Sequence, residues 1–287
     1  METKKQSRIK PLVSHRFKQT ILYTVLIITS ALQAFPLVWL TNFSLCKDSE
    51  LFVSGILKWP EEFMWENYRR AWVDGHILQN LLNSLLVCAA TLLIVIVCSL
   101  LLSYAFTRIV WKGRSVVFYI ILLGMMIPIQ ATLIPNFLVF NQLGLTNSYL
   151  GLIIPYAAFS LPLATFIMTG FMKSIPKALE EAAILDGCGT PRLIFNVIRP
   201  LVTPAIVSVT VLTFLNTWNE FVMAYTFTSK SMYRTLPFSV YEFAGLYSKS
   251  YSTQFAVMVI ASLPALIVYM LLSDQITKGI TMGALKS

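Results

Sequence analysis

Charged residues fall in blocks along this chain, and the intervals between the blocks are apolar. No Asp, Glu, Lys or Arg occurs from Gln19 to Cys46, Gly75 to Thr107, Ser115 to Met172, Pro200 to Asn219, or Ser250 to Ser273. Crossing a bilayer takes roughly 20 predominantly apolar residues in a helix. The third interval is long enough for two crossings. Its middle, 141-NQLGLTNSY-149, reads as a polar, Gly- and Asn-containing turn between apolar arms. The pattern therefore predicts an all-α polytopic membrane protein with six transmembrane helices, over 19–41, 82–107, 115–139, 149–172, 201–224 and 254–273.

Composition agrees. Of 287 residues, 56% are hydrophobic and 12% charged, against about 25% charged in an ordinary soluble domain. An even number of spans puts both termini on one side. If that side is the cytoplasm, its segments hold 15 basic residues, including Arg108, Lys112, Arg114, Lys173, Lys177, Arg192 and Arg199. The other side holds 7: Lys47, Lys58, Arg69, Arg70, Lys230, Arg234 and Lys249. Basic residues accumulate on the cytoplasmic side, so cytoplasmic termini are expected. The net charge of +9 thus reports orientation in the bilayer, and no aromatic-interleaved basic patch suggests nucleic acid. The first apolar run is longer than a signal-peptide core and lacks a clean small-x-small site, so a retained helix is expected. The organisation that follows is a basic segment 1–18, a permease domain 19–273 with a polar cytoplasmic loop 173–200, and a cytoplasmic tail 274–287. Four scattered cysteines and two isolated histidines suggest neither disulfides nor a metal site.

The polar loop carries the most specific information. Pro176 suits a first helical turn, Ala178 to Leu185 are helix formers, and Glu180 and Glu181 lie where acids complement the macrodipole. Gly187 and Gly189 can end that helix with positive φ; Thr190 then caps and Pro191 begins a second short helix through Val197. Ala182 and Ala183 add almost no bulk, which suits a helix that docks closely on another protein.

Glu181-Ala182-Ala183, then Gly187, Val197 and Pro200, resemble the EAA loop of ABC-importer membrane subunits: EAA, three residues, Gly, nine residues, Ile, one residue, Leu-Pro. Val197 stands for the Ile and Arg199 for the Leu, so the head of the motif is intact and the tail departs from it. The segments 35-FPLVWLTNFSL-45, 66-ENYRRAW-72, 80-NLLNSLLV-87, 127-IPIQATLIP-135, 217-TWNEFVMAYTF-227, 235-TLPFS-239 and 279-GITMGALKS-287 are similar to maltose-type carbohydrate permeases, in particular the second of their two membrane subunits. The resemblance implies a permease subunit that pairs with a homologous second permease, two cytoplasmic ATP-binding subunits and an extracytoplasmic solute-binding protein. It implies a location in a bacterial inner or plasma membrane. It also implies that Glu181, Ala182, Ala183, Asp186, Gly187 and Pro200 belong to the element coupled to the ATPase. The chain has no GxxxxGK[ST] run, so no cofactor is expected on it, and ATP and Mg belong to the partner ATPase.

Asn216, Trp218, Asn219 and Glu220 are the candidates for a substrate path. Glu220 is the charge nearest a span interior, the Asn side chains can bond hydroxyls, and Trp218 offers a flat face to a sugar ring. Helix packing or gating is the competing role for the same residues. The external segments 42–80 and 225–253 are the expected meeting place for the binding protein. Two other classes make different demands. An ion-coupled secondary transporter would place acids or His mid-membrane in inverted repeats, and a membrane enzyme would show a catalytic constellation; neither pattern is present. Within ABC importers, a polyamine, peptide or amino-acid permease is the nearer alternative.

Overall fold

The computed structural model describes residues 12–51, 59–243 and 250–284; for 12–16 and 274–284 it describes the backbone alone. Residues 1–11 of the expected basic segment, 285–287 of the expected tail, and Lys58 and Lys249 lie outside the described residues. The described residues are helical with no strand. In order, the helices are α1 (Leu12–Ser44), α2 (Glu66–Asp74), α3 (Ile77–Thr107), α4 (Arg114–Leu123), α5 (Ile129–Gln142), α6 (Leu150–Ser174), α7 (Lys177–Leu185), α8 (Thr190–Arg192), α9 (Arg199–Leu201), α10 (Thr203–Trp218), α11 (Val222–Phe227), α12 (Leu236–Glu242) and α13 (Tyr251–Ala284).

Four helical stretches are long and apolar enough to cross a membrane: Phe17–Ser44, Ile77–Thr107, Leu150–Ser174 and Tyr251–Ser273. Two helix pairs pass the same test only when taken together, Arg114–Met126 with Ile129–Gln142, bent by 100°, and Thr190–Leu201 with Thr203–Trp218, bent by 79°; counting each as one span gives six. The expected helix 115–139 is thus broken at Pro128. Pro128 donates no backbone hydrogen bond and drives the residue before it out of helical geometry, and Ile127 is extended at φ −85°, ψ 112°. The expected helix 201–224 stops at Trp218, and the chain resumes as α11. Five prolines are carried inside continuous helices: Pro36 in α1, Pro135 in α5, Pro155 and Pro162 in α6, Pro264 in α13. At the C-terminus, the helix expected to end at 273 continues to Ala284, so most of the expected tail is helical.

The core is divided among three clusters, and α3 contributes to each. Val95, Leu100 and Tyr104 meet Met168 and Met172 of α6 and Ile198 of the polar loop. Ile77 and Cys88 meet Phe214, Trp218 and Val257. Val87 meets Leu152, Tyr156, Phe227 and Phe238. By contrast, α1 leans on α13, and near its end Trp39 and Phe43 contact Phe255 at 5.6 and 6.1 Å between ring centres. Phe17, Ile27 and Leu32 of α1 are at least two-thirds exposed, as suits a face solvated by lipid or by another subunit.

Candidate functional site

The polar loop sits at one end of the bundle as a short helix standing on a packed base. Pro176 is not in the first turn but caps it in an extended conformation (φ −61°, ψ 131°), and α7 follows from Lys177 to Leu185. Its C-terminus closes as a Schellman motif. The Gly187 amide bonds the Ile184 carbonyl at 2.9 Å, and the Cys188 amide bonds the Ala183 carbonyl at 3.0 Å. Gly187 is at φ +79°, as that closure requires. Gly189 is not: it is extended, at φ −73° and ψ 158°, and it takes the cap position expected of Thr190.

Beyond the turn, the second helix extends past Val197 and is π-helical over Leu193–Ile198. Pro200 has no N–H for the carbonyl one turn back, and a widened turn relieves the clash of its ring with that carbonyl. Leu193, Ile194 and Ile198 are buried against α3 and α6 and form the base.

On this base the motif residues face different ways. Ala183 and Cys188 pack inward against the first core cluster. Glu181, Ala182, Asp186, Gly187 and Pro200 are exposed. So are Leu179, Ile184 and Leu185, the last at 88%. Together they form an exposed apolar patch beside a rigid turn. The two adjacent acids also part company: Glu181 points to solvent while Glu180 is buried, paired with Arg108. Sequence reasoning counted Arg108 only toward orientation and Glu180 only toward the helix dipole. A lone Arg directly after an apolar run, together with a doubled Glu, was the available clue.

The second region lies where the two bent crossings face each other. A cavity of about 370 Å³ is lined by Ile127 and Gln130 at the α4–α5 break, Tyr156 and Ser160 of α6, and Asn216, Thr217 and Glu220 at the end of α10. Asn216 and Glu220, four residues apart, share that face. Glu220 is heavily engaged: it accepts from the Tyr156 hydroxyl at 2.6 Å and from the amides of Met223 and Ala224 at 2.8 and 3.1 Å. It therefore caps α11, meeting the positive end of that helix with a carboxylate. The structure separates the other two candidates from this cavity. Trp218 is 3% exposed, stacked on Phe214 at 5.3 Å, with its N–H given to the Ala261 carbonyl, so no face is free for a sugar ring. Asn219 bonds the Leu215 carbonyl and faces a different crevice, toward α13. Among the described residues no group of three His, Cys, Asp or Glu side chains is placed to hold a metal.

At the far end, two segments singled out in the sequence prove to be bonded to each other. Asn80 donates to Ser239 Oγ, Asn83 donates to the carbonyls of Met232 and Arg234, and Ser84 Oγ accepts from the Leu236 amide. Asn147, itself at φ +56°, accepts from the Ser229 amide and hydroxyl and from the Lys230 amide. The plate formed by 228–239 is thereby strapped to α3 and to the α5–α6 turn.

Residues 96–282 match the family of binding-protein-dependent transport system inner membrane components. The chain belongs to this family. As a family member it is a multi-pass membrane permease component of an ABC importer that works with a substrate-binding protein; it is a transport subunit, not an enzyme. It is 32% identical over 252 residues to the sulfoquinovosyl glycerol transport system permease protein of Agrobacterium fabrum, covering 88% of each chain. It is 32% identical over 273 residues to the trehalose/maltose transport system permease protein of Thermococcus litoralis, covering 94% of this chain and 97% of that one. A solved bacterial ABC transporter involved in the import of the acidic polysaccharide alginate has the same fold as this permease. It matches with a TM-score of 0.77 at 22% identity, over 95% of this chain and 99% of that one.

Proposed function

We propose that this permease is one of two homologous membrane subunits of an ATP-driven importer for a sugar or oligosaccharide. In this reading two cytoplasmic subunits bind ATP and Mg, and an extracytoplasmic binding protein delivers the solute. The observation that carries it is α7: a nine-residue helix closed by a positive-φ glycine, packed on one side and presenting Leu179, Ile184 and Leu185 on the other. Such an element transmits force without bending, and its open face has the size and polarity of a docking surface. Glu181, Ala182, Asp186 and Gly187 form the docking side, while Ala183 and the segment leading to Pro200 connect it to the bundle. The sugar class rests on the relatives, whose names specify a sulfoquinovosyl glycerol and trehalose or maltose.

The solute path runs past the cavity between the two bent crossings. The break between α4 and α5 and the end of α10 at Trp218 leave backbone and polar side chains free to line a passage that uninterrupted apolar helices would close. Asn216, Gln130 and Ser160 offer hydrogen-bonding groups there, and Glu220 shapes the wall by holding α11 in place. The face with α7 is cytoplasmic and the plate 228–239 is external, where it and the segment near α2 meet the binding protein.

The test is co-purification of the tagged permease after gentle solubilisation, comparing wild type with a Glu181→Lys, Gly187→Val variant. Wild type should carry an ATPase subunit and a second permease, and the variant should lose the ATPase while keeping the second permease. A wild-type chain that purifies alone and moves solute in vesicles without ATP would overturn the reading. Binding of a peptide or polyamine, and not a sugar, by the co-purifying binding protein would overturn the solute class alone.

A further inference from the structure

The helix α3 is fastened at each end to a different element. Its 31 residues make a rod of about 46 Å. At one end Asn80, Asn83 and Ser84 hold the plate 228–239. At the other end Arg108 directly follows the last residue of α3, and its amide still bonds the Tyr104 carbonyl at 2.9 Å. The Arg108 side chain reaches across to α7 and grips it at two points. Nε donates to Glu180 Oε1 at 2.5 Å, and Nη2 donates to the Ile175 carbonyl at 2.9 Å.

These two points define how α7 leaves the bundle. Ile175 is the last residue before the capping Pro176, and its carbonyl lies between two helices; Glu180 lies in the first turn of α7. A planar guanidinium holding both fixes the direction of the helix as well as its position. Both side chains of the pair are 8% exposed. Desolvated charges are costly unless paired and hydrogen-bonded, and such a pair tolerates few other geometries. The contrast is with Lys47–Glu62, whose side chains are 42% and 70% exposed and which can part at little cost.

We propose that Arg108 and Glu180 are positioning residues that clamp the coupling helix α7 to α3. Displacement of α7 by the ATPase is then handed to α3 and carried along the rod to the external plate. This rests on the reading of α7 as the ATPase-docking element. The adjacent acids divide the work, Glu181 facing the partner and Glu180 facing the rod.

The test uses the whole transporter in liposomes, with sister permease, ATPase subunits and binding protein. Wild type must first show ATP-dependent uptake; if it does not, the underlying reading fails whatever the variants do. In Arg108→Gln, Glu180→Gln, both groups become neutral at similar size. Assembly and the ATPase activity without binding protein should persist, while binding-protein-stimulated ATPase and uptake fall tenfold or more. The exchanged pair, Arg108→Glu with Glu180→Arg, should recover stimulation that Arg108→Glu alone loses. Wild-type stimulation in the neutral variant would overturn the proposal. So would parallel loss of assembly, basal ATPase and uptake, or an exchanged pair no better than the single reversal, since each is what a purely structural contact gives.

Discussion

At Gly187 the requirement is for backbone conformation and nothing else. A Cβ built there meets no atom within 4 Å, yet φ is +79°. The cost of Gly187→Ala is therefore the left-handed conformation alone, about 1–2 kcal/mol for an L-residue. Thermal unfolding of the solubilised permease should register only that modest loss, whereas coupling should suffer more, because the residue relieves its strain by unwinding the end of α7. Unchanged uptake with a normal melting temperature would show that the closure is dispensable. Glu220 teaches a different lesson. In the sequence it was the one charge near a span interior and so a functional candidate, but its carboxylate is already spent on a tyrosine hydroxyl and two amides. Its contribution to a solute path comes through the wall it stabilises.

Among the elements, the plate 228–239 owes its place to side chains of other helices more than to its own short turns. Asn83 makes two of these bonds, donating to Met232 and Arg234, and also accepts from the Tyr149 hydroxyl before α6 at 2.8 Å. Asn83→Leu keeps the volume and removes all three, leaving two carbonyls and a hydroxyl to find water. Each net bond is worth about 0.5–1.5 kcal/mol, and the loss falls on one loop. Hydrogen exchange at 229–239 should rise by an order of magnitude or more, with exchange in α6 little changed; equal protection in both proteins would mean that the plate is held by its apolar contacts. The third and fifth crossings make a related point. The third is broken at Pro128 and the fifth stops at Trp218, and the cavity lies between those two points.

For the molecule as a whole, the polar loop and the plate lie at opposite ends of the bundle, so their sides of the membrane can be read directly. In a cysteine-free background, Leu185→Cys should react with a membrane-impermeant maleimide only from the cytoplasmic side, and Ser231→Cys only from outside. Both native side chains are exposed in the permease alone, so the reaction is run on membranes stripped of the ATPase subunits. Labelling of Leu185→Cys from outside would invert the orientation derived from the distribution of basic residues.

Much of this architecture was legible without coordinates. Uncharged intervals located the crossings because the bilayer cannot solvate charge or unpaired backbone. The loop 173–200 and the positive φ of Gly187 were equally plain, since a glycine after a run of helix formers has few other uses. What the sequence could not reveal was every assignment that depends on a distant partner. Ile127–Pro128 breaks a crossing, although Pro135 and Pro264 sit within intact helices. Trp218 is enclosed by Phe214 and α13 while Asn216, two residues earlier, lines a cavity. Glu180 is buried on Arg108, 72 positions away, while Glu181 is exposed. Hydropathy and backbone preference are local properties and were fixed by the residues themselves; the burial and pairing of a particular polar group is a property of its neighbours, and only the packed bundle determined those.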